Sequence, residues 1–139
     1  MCISNTFPIR VLFIACVFCA SGAGQPACQP NTVFTTARNL LQSKNYTEVT
    51  STLDGLRGCR NLTALERFEW GWLYGRARHF DTALSIFKSV PEETPDLVTH
   101  AYAIALSNFE LNNYSAAIDT LNALKAKGLL DEKCANLLG

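Results

Sequence analysis

Apolar residues recur along this chain at a fixed interval. Tyr46, Phe80 and Tyr114 follow one another at intervals of 34 residues, and this interval is here called the repeat step. Five further columns keep the same step with similar side chains: Phe34, Phe68 and Tyr102; Ala37, Gly71 and Ala105; Val49, Ala83 and Ala117; Leu53, Phe87 and Leu121; Leu56, Val90 and Leu124. Matched columns in one register indicate an internal repeat, and a repeat of this length decides the fold.

Within each repeat the apolar positions predict two helices, each with one apolar face. Asn45 is followed three residues later by an acid, and Thr63 forms a T-x-x-E capping box with Glu66. Thr94, the predicted cap of the fifth helix, precedes a proline and an acid, and Gly128 is a predicted C-terminal cap. We expect helices at about 31–43, 46–58, 63–77, 80–90, 95–111 and 114–127.

The repeat step of about 34 residues is the period of the tetratricopeptide repeat, a helix–turn–helix unit, and residues 30–139 resemble that family. The middle unit carries most of its motif: Trp70, Gly71, Tyr74, Phe80, Ala83, Phe87 and Pro95. It departs from the motif where Trp70 replaces the usual Leu and Arg67 the usual Trp. The resemblance implies an all-α fold, a right-handed α-solenoid of antiparallel helix pairs, with a repeat domain over 31–139 and units at about 30–63, 64–97 and 98–131.

The columns continue beyond the third unit. Gly139 follows Ala105 by one repeat step, so residues 132–139 look like the start of a fourth unit. The chain is then either a piece of a longer array or is closed by a short capping helix. A capping helix needs a polar outer face, and Cys134 and Leu138 do not suit one. The sequence therefore favours the longer array.

Residues 1–23 have the pattern of a secretory signal peptide. A single cation, Arg10, precedes the apolar run 11–20 and a cluster of small residues. The run rises about 15 Å as a helix, too little for a hydrocarbon core of about 30 Å. We expect cleavage after Ala23 or Gly24, a linker over 24–30 and an exported mature protein, periplasmic or secreted, without stable membrane insertion. A buried helix and a lipoprotein signal are the alternatives.

The mature part retains Cys28, Cys59 and Cys134. Cys28 lies just before the first predicted helix and Cys59 just after the second, and these two ends are neighbours in a helical hairpin. A disulfide is therefore sterically reasonable and would contribute about 3–4 kcal/mol on the loop-entropy model. The alternative is two buried free thiols.

The charge balance and the histidine content argue against nucleic-acid binding, metal binding and catalysis. Twelve basic residues balance 12 acidic ones, so the surplus that nucleic-acid binding needs is missing, and an RNA-reading helical repeat is disfavoured. The two histidines, His79 and His100, belong to no cluster with metal-ligand or nucleophile spacing. We expect no catalytic residue, no metal and no cofactor. Glycosylation sequons occur at Asn45, Asn61 and Asn113. Helix capping is the favoured explanation for Asn45 and Asn113, and glycosylation is the alternative.

In the tetratricopeptide family the first helix of each unit lines a concave groove that holds peptides or partner helices. The resemblance implies that this groove is lined by Asn31, Phe34, Arg38, Leu41, Gln42, Leu65, Phe68, Trp72, Arg76, Thr99, Tyr102, Leu106, Phe109 and Glu110. These residues are mainly apolar and lack a cluster of cations, so we expect a protein partner with an apolar or helical segment. The alternative is that further repeats or another domain cover them.

The expected function is thus that of an exported, non-catalytic module or scaffold that binds another protein. The alternative is that the repeats form the N-terminal part of a longer exported enzyme or assembly factor. Both interpretations depend on the same packing. Gly71 and Ala83 are the small residues at which the two helices of a unit approach, and the aromatic residues at 46, 80 and 114 are expected to fill the wedge between units.

Ala83→Leu tests this register. A large side chain at the helix crossing should overpack it and cost about 1–3 kcal/mol. We expect a lower melting temperature by circular dichroism, and an unchanged one would contradict the register.

Overall fold

A computed structural model describes residues 28–130 and Asn136, and within them all regular structure is α-helical. The predicted signal peptide lies outside the described residues, as does the predicted start of a fourth unit apart from Asn136, which is helical. The helices are α1 (Pro30–Gln42), α2 (Tyr46–Asp54), α3 (Ala64–Arg76), α4 (Phe80–Lys88), α5 (Leu97–Glu110) and α6 (Tyr114–Ala126).

The helices associate as three pairs in chain order. α1 packs against α2, α3 against α4, and α5 against α6. Consecutive pairs also contact each other, since α3 packs against both α1 and α2, and α4 packs against α5. The all-α class predicted from the sequence is confirmed.

The repeated columns form most of the core. Five of the six columns contain no first residue of a helix. All residues of these five columns are buried except Tyr102, which is half-buried. The column of helix-opening aromatic residues behaves differently. Tyr46 and Tyr114 are exposed, and Phe80 is half-buried. The expectation that these rings fill a wedge is therefore wrong for Tyr46 and Tyr114, whose side chains remain exposed at the first position of their helices.

Two predicted helix starts are confirmed. The Asn45 side chain accepts a hydrogen bond from the Glu48 amide at 3.4 Å. Thr63 and Glu66 form the reciprocal capping box, with the Thr63 hydroxyl accepting from the Glu66 amide and the Glu66 carboxylate accepting from the Thr63 amide. Each cap satisfies amide groups that the first turn of a helix leaves without partners.

Two predicted boundaries are wrong. α5 begins at Leu97, not at residue 95, because Asp96 rather than Thr94 caps it, by accepting from the Thr99 amide at 2.9 Å. Hydrogen bonds from the Thr99 amide and hydroxyl hold the pKa of Asp96 below its ordinary value. The helix α2 ends before residue 55 rather than at residue 58, since the chain turns there and runs through further turns to the next helix.

Four helices end at a residue in the left-handed region. Lys44, Arg78 and Asn112 follow α1, α3 and α5 with φ of 57°, 66° and 61°, and Gly128 follows α6 with φ of 70°. The first three are separated by the repeat step. In each case two amides after the helix bond back to its last carbonyls, which turns the chain away from the helix axis.

The predicted pairing of cysteines is confirmed, since the Sγ atoms of Cys28 and Cys59 lie 2.04 Å apart, the distance of a disulfide bond. The bond joins the chain just before α1 to the chain after α2. It therefore ties the beginning of α1 covalently to the end of α2.

A side-chain hydrogen bond to the same backbone position links each pair to the next. Trp70 Nε1 donates to the carbonyl of Leu53 at 3.1 Å, and His100 Nε2 donates to the carbonyl of Phe87 at 2.9 Å. Leu53 and Phe87 are one repeat step apart. Both carbonyls lie in the last turn of the second helix of a pair, where acceptors remain available.

A second polar contact strengthens the link between α2 and α3. The buried Tyr74 donates its hydroxyl to Asp54 Oδ1 at 2.6 Å, and Arg57 Nε donates to the same oxygen at 2.7 Å. The Tyr74 hydroxyl, followed by the Arg57 guanidinium, lowers the pKa of Asp54. Burial, helped by the hydrogen bond to Asp54, raises the pKa of Tyr74 to about 12.

Gly71→Ala tests the close crossing of α3 and α4. A Cβ atom at Gly71 would lie 2.9 Å from Phe87 Cε1 and 3.1 Å from Ile86 Cγ2, so we expect a loss of about 1–3 kcal/mol in the free energy of unfolding. At Gly75 a Cβ atom would meet Ala83 at an ordinary 3.8 Å. Gly75→Ala should therefore gain about 0.5–1 kcal/mol from helix propensity. Urea unfolding measures both, and equal stabilities would contradict the crossing.

Candidate functional site

An open cleft of about 320 Å³ lies between α3 and α5. α3 packs against α1 but makes little direct contact with α5, so the first helices of the second and third pairs leave a space between them. The cleft is lined by Tyr46, Trp72, Gly75, Arg76, Arg78, Phe80, Phe87, Ala103, Leu106, Ser107 and Glu110.

One face of α3 and one face of α5 form the two walls of the cleft. Trp72 and Arg76 are one turn apart on α3, and Leu106 and Glu110 are one turn apart on α5. The Trp72 ring stacks on the buried Phe68, with centroids 6.3 Å apart. The wall of α3 is therefore fixed by the core behind it.

The cleft has an apolar interior and charged residues along its lining. Arg76 and Arg78 are exposed near the end of α3, and Glu110 is exposed near the end of α5. The two ion pairs in the described part of the chain are those of Arg38 with Glu69 and of Arg57 with Asp54. The charges that line the cleft are thus not engaged in ion pairs within residues 28–130.

Four of the fourteen residues that the sequence assigned to a groove line this cleft: Trp72, Arg76, Leu106 and Glu110. Phe34 and Phe68 are buried in the core, so they offer no surface to a partner, and their assignment to the groove is corrected. The Phe68 ring lies between the second helix of its pair and the next pair, with centroids 5.1 Å from Phe87 and 6.1 Å from His100.

The other eight lie elsewhere. Asn31, Arg38 and Gln42 are exposed on α1, and Arg38 is paired with Glu69 on α3. Leu41 and Tyr102 are half-buried against the core. Thr99 is hydrogen bonded to the cap of α5. Leu65 and Phe109 are exposed outside the cleft lining.

The sequence did not assign Tyr46, Arg78 and Phe80 to the groove. Tyr46 and Phe80 open second helices, which the family resemblance places behind the groove, and their spacing by the repeat step suggested a packing role. Arg78 lies in the turn after α3 with a left-handed backbone. No signal in the sequence separates Tyr46 and Phe80 from packing residues, because they keep the same repeat step as the buried columns.

The histidines take no part in the cleft. His79 is exposed before α4, and His100 is buried and donates to Phe87. Within residues 28–130 and Asn136, no group of three His, Cys, Asp or Glu side chains is close enough to hold a metal ion.

Two further findings bear on function. No helix in the described part of the chain is long and apolar enough to cross a membrane. No protein-family model, curated protein or solved structure matches the chain.

Proposed function

We propose that this protein is an exported, non-catalytic binding module of tetratricopeptide type, in which the cleft between α3 and α5 holds an apolar or helical segment of a partner protein. In this proposal the three helix pairs form a right-handed α-solenoid. The disulfide between Cys28 and Cys59 favours an exported location, because such bonds persist in oxidising compartments.

Three features that recur at the repeat step support the repeat assignment. They are the second-helix starts at Tyr46, Phe80 and Tyr114, the left-handed residues at the ends of the first helices, and the carbonyls that accept a side chain from the next pair. A family resemblance in the sequence alone would not require the last of these. Together they favour one helix-pair geometry used three times.

The side chains that line the cleft are the main support for the proposed binding of a partner. A partly exposed tryptophan on a fixed helix faces a leucine across an open space whose charged side chains are unpaired within the described residues. At about 320 Å³ the space is at the small end of ligand pockets, and it suits one or two large side chains of a partner. The arginines and Glu110 would orient that partner more than they would strengthen its binding.

Peptide display tests the proposal. We expect a random peptide library selected on the disulfide-bonded mature protein to yield peptides with a large apolar residue. Trp72→Ala should weaken their binding about tenfold or more, because a desolvated tryptophan is a typical interface hot spot. Arg76→Glu, at an exposed position, should weaken it without disturbing the core. Fluorescence anisotropy measures both effects.

Leu65→Ala is the matched control, since Leu65 is 61% exposed on the same helix but outside the cleft. It should bind the selected peptides as the wild type does. Circular dichroism confirms that each variant is folded. Equal binding by the wild type, Trp72→Ala and Arg76→Glu would refute the cleft as the binding site.

A further inference from the structure

The three glycosylation sequons, of the form Asn-x-Ser/Thr, lie in different surroundings. Asn61 is exposed in the turns between α2 and α3, and Asn113 is exposed immediately before α6. Asn45, immediately before α2, is half-buried. An attached oligosaccharide is bulky and hydrated, so a folded protein carries it on an asparagine whose side chain reaches the solvent. Exposure therefore favours two of the three sequons.

Helix capping accounts for Asn45 but not for Asn113. The Asn45 side chain accepts a hydrogen bond from the Glu48 amide and so caps α2. In the part of the chain that the structure describes, the Asn113 side chain makes no such bond to α6. The prediction that Asn113 caps a helix is therefore wrong. Its exposed side chain is left with the other explanation of a sequon, which is modification.

The repeat indicates that a further helix pair would not have to cover this site. His79 is the counterpart of Asn113 one repeat step earlier, and it is exposed although α5 and α6 follow it. Ser115 is the third residue of the sequon and is exposed, as are its counterparts Thr47 and Asp81 in the earlier pairs. The whole sequon thus lies on a part of the repeat that stays open to solvent.

The sequon at Asn61 overlaps the start of α3. Its third residue, Thr63, accepts from the Glu66 amide at 3.2 Å and donates its hydroxyl to the Glu66 carboxylate at 2.8 Å. Asn61 itself precedes this capping box and remains exposed. Because the cap engages the hydroxyl that completes the sequon, modification of Asn61 has to precede the folding of α3.

We propose that Asn61 and Asn113 are sites of N-linked glycosylation and that Asn45 is not. The sugar donor is an oligosaccharide joined to a polyprenyl pyrophosphate, and an oligosaccharyltransferase of the exported compartment acts on the chain as it enters. The asparagine Nδ2 forms a bond to the anomeric carbon of the first sugar, and the bond from that carbon to the pyrophosphate oxygen breaks. The polyprenyl pyrophosphate leaves, and the amide nitrogen loses one proton.

The proposal rests on the exported location proposed above, and it is compatible with the cleft. Asn61 and Asn113 lie outside the lining of the cleft, whereas Tyr46, which follows Asn45 in the chain, belongs to it. Glycans at the two exposed sites would leave the cleft free for a partner. A glycan at Asn45 would lie beside it.

Secretion of the full chain from cultured mammalian cells tests the proposal. On immunoblots of the medium, a peptide-N-glycosidase should shift the wild type by the equivalent of two glycans. Asn61→Gln and Asn113→Gln should each lose one glycan, their combination should lose both, and Asn45→Gln should match the wild type. When the glycosidase acts in heavy-oxygen water, mass spectrometry should find labelled aspartate at positions 61 and 113.

Variants of Ser115 provide the matched control. Ser115→Ala retains Asn113 but destroys the sequon, so it should lose the same glycan as Asn113→Gln. Ser115→Thr restores the sequon and should regain the glycan. Asn122 is exposed on α6 and is followed by no Ser or Thr at the required position, so Asn122→Gln should keep both glycans.

Secreted protein that the glycosidase does not shift would overturn the proposal and leave the exported location intact. A glycan that is lost in Asn45→Gln would overturn the assignment by exposure. A second chain, in which an established signal peptide replaces residues 1–23, separates the two proposals. Glycans on this chain, together with a cytosolic and unmodified wild type, would support both sites and contradict the exported location.

Discussion

The close approach of two helices at a residue with almost no side chain is the constraint on which this fold depends. At Gly71, α3 lies so near α4 that even a methyl group would contact Phe87 below van der Waals distance. Ala37 and Ala105 hold the same position in the other pairs and are fully buried. Because a short helix cannot bury its apolar face alone, this crossing lets each pair form a core from residues of both its helices.

The links between pairs follow from that crossing. The approach of the helices fixes where the last turn of the second helix lies, and its carbonyl then accepts a side chain from the next pair. Trp70 and His100 perform this task from positions that do not correspond in the repeat, since Ile104 is the counterpart of Trp70 and Glu66 that of His100. The geometry keeps the acceptor in place and leaves the donor free to vary, so the links need not be identical.

The first helices of the three pairs are not equally close to each other. α1 lies directly on α3, whereas α3 and α5 leave the cleft beside Trp72. Thr32, Thr35 and Thr36 are exposed on α1, and Tyr114 and Ile118 are exposed on α6. The repeated columns account for most of the core, and the cleft lies where two first helices make little direct contact.

The sequence by itself determined the six helices, the buried columns and the caps at Asn45 and Thr63, because these depend on local hydrogen bonds and on a period that can be counted. It made the pairing of Cys28 with Cys59 sterically reasonable, and the structure shows that the pair is bonded. Only the tertiary structure decided that Phe34 and Phe68 are core residues and that Tyr46 lines the cleft. The repeat in the sequence shows which residues occupy equivalent positions, but it does not show how far apart neighbouring helix pairs lie. That distance is the outcome of many side chains packing at once, and it decides which equivalent positions are covered and which remain open.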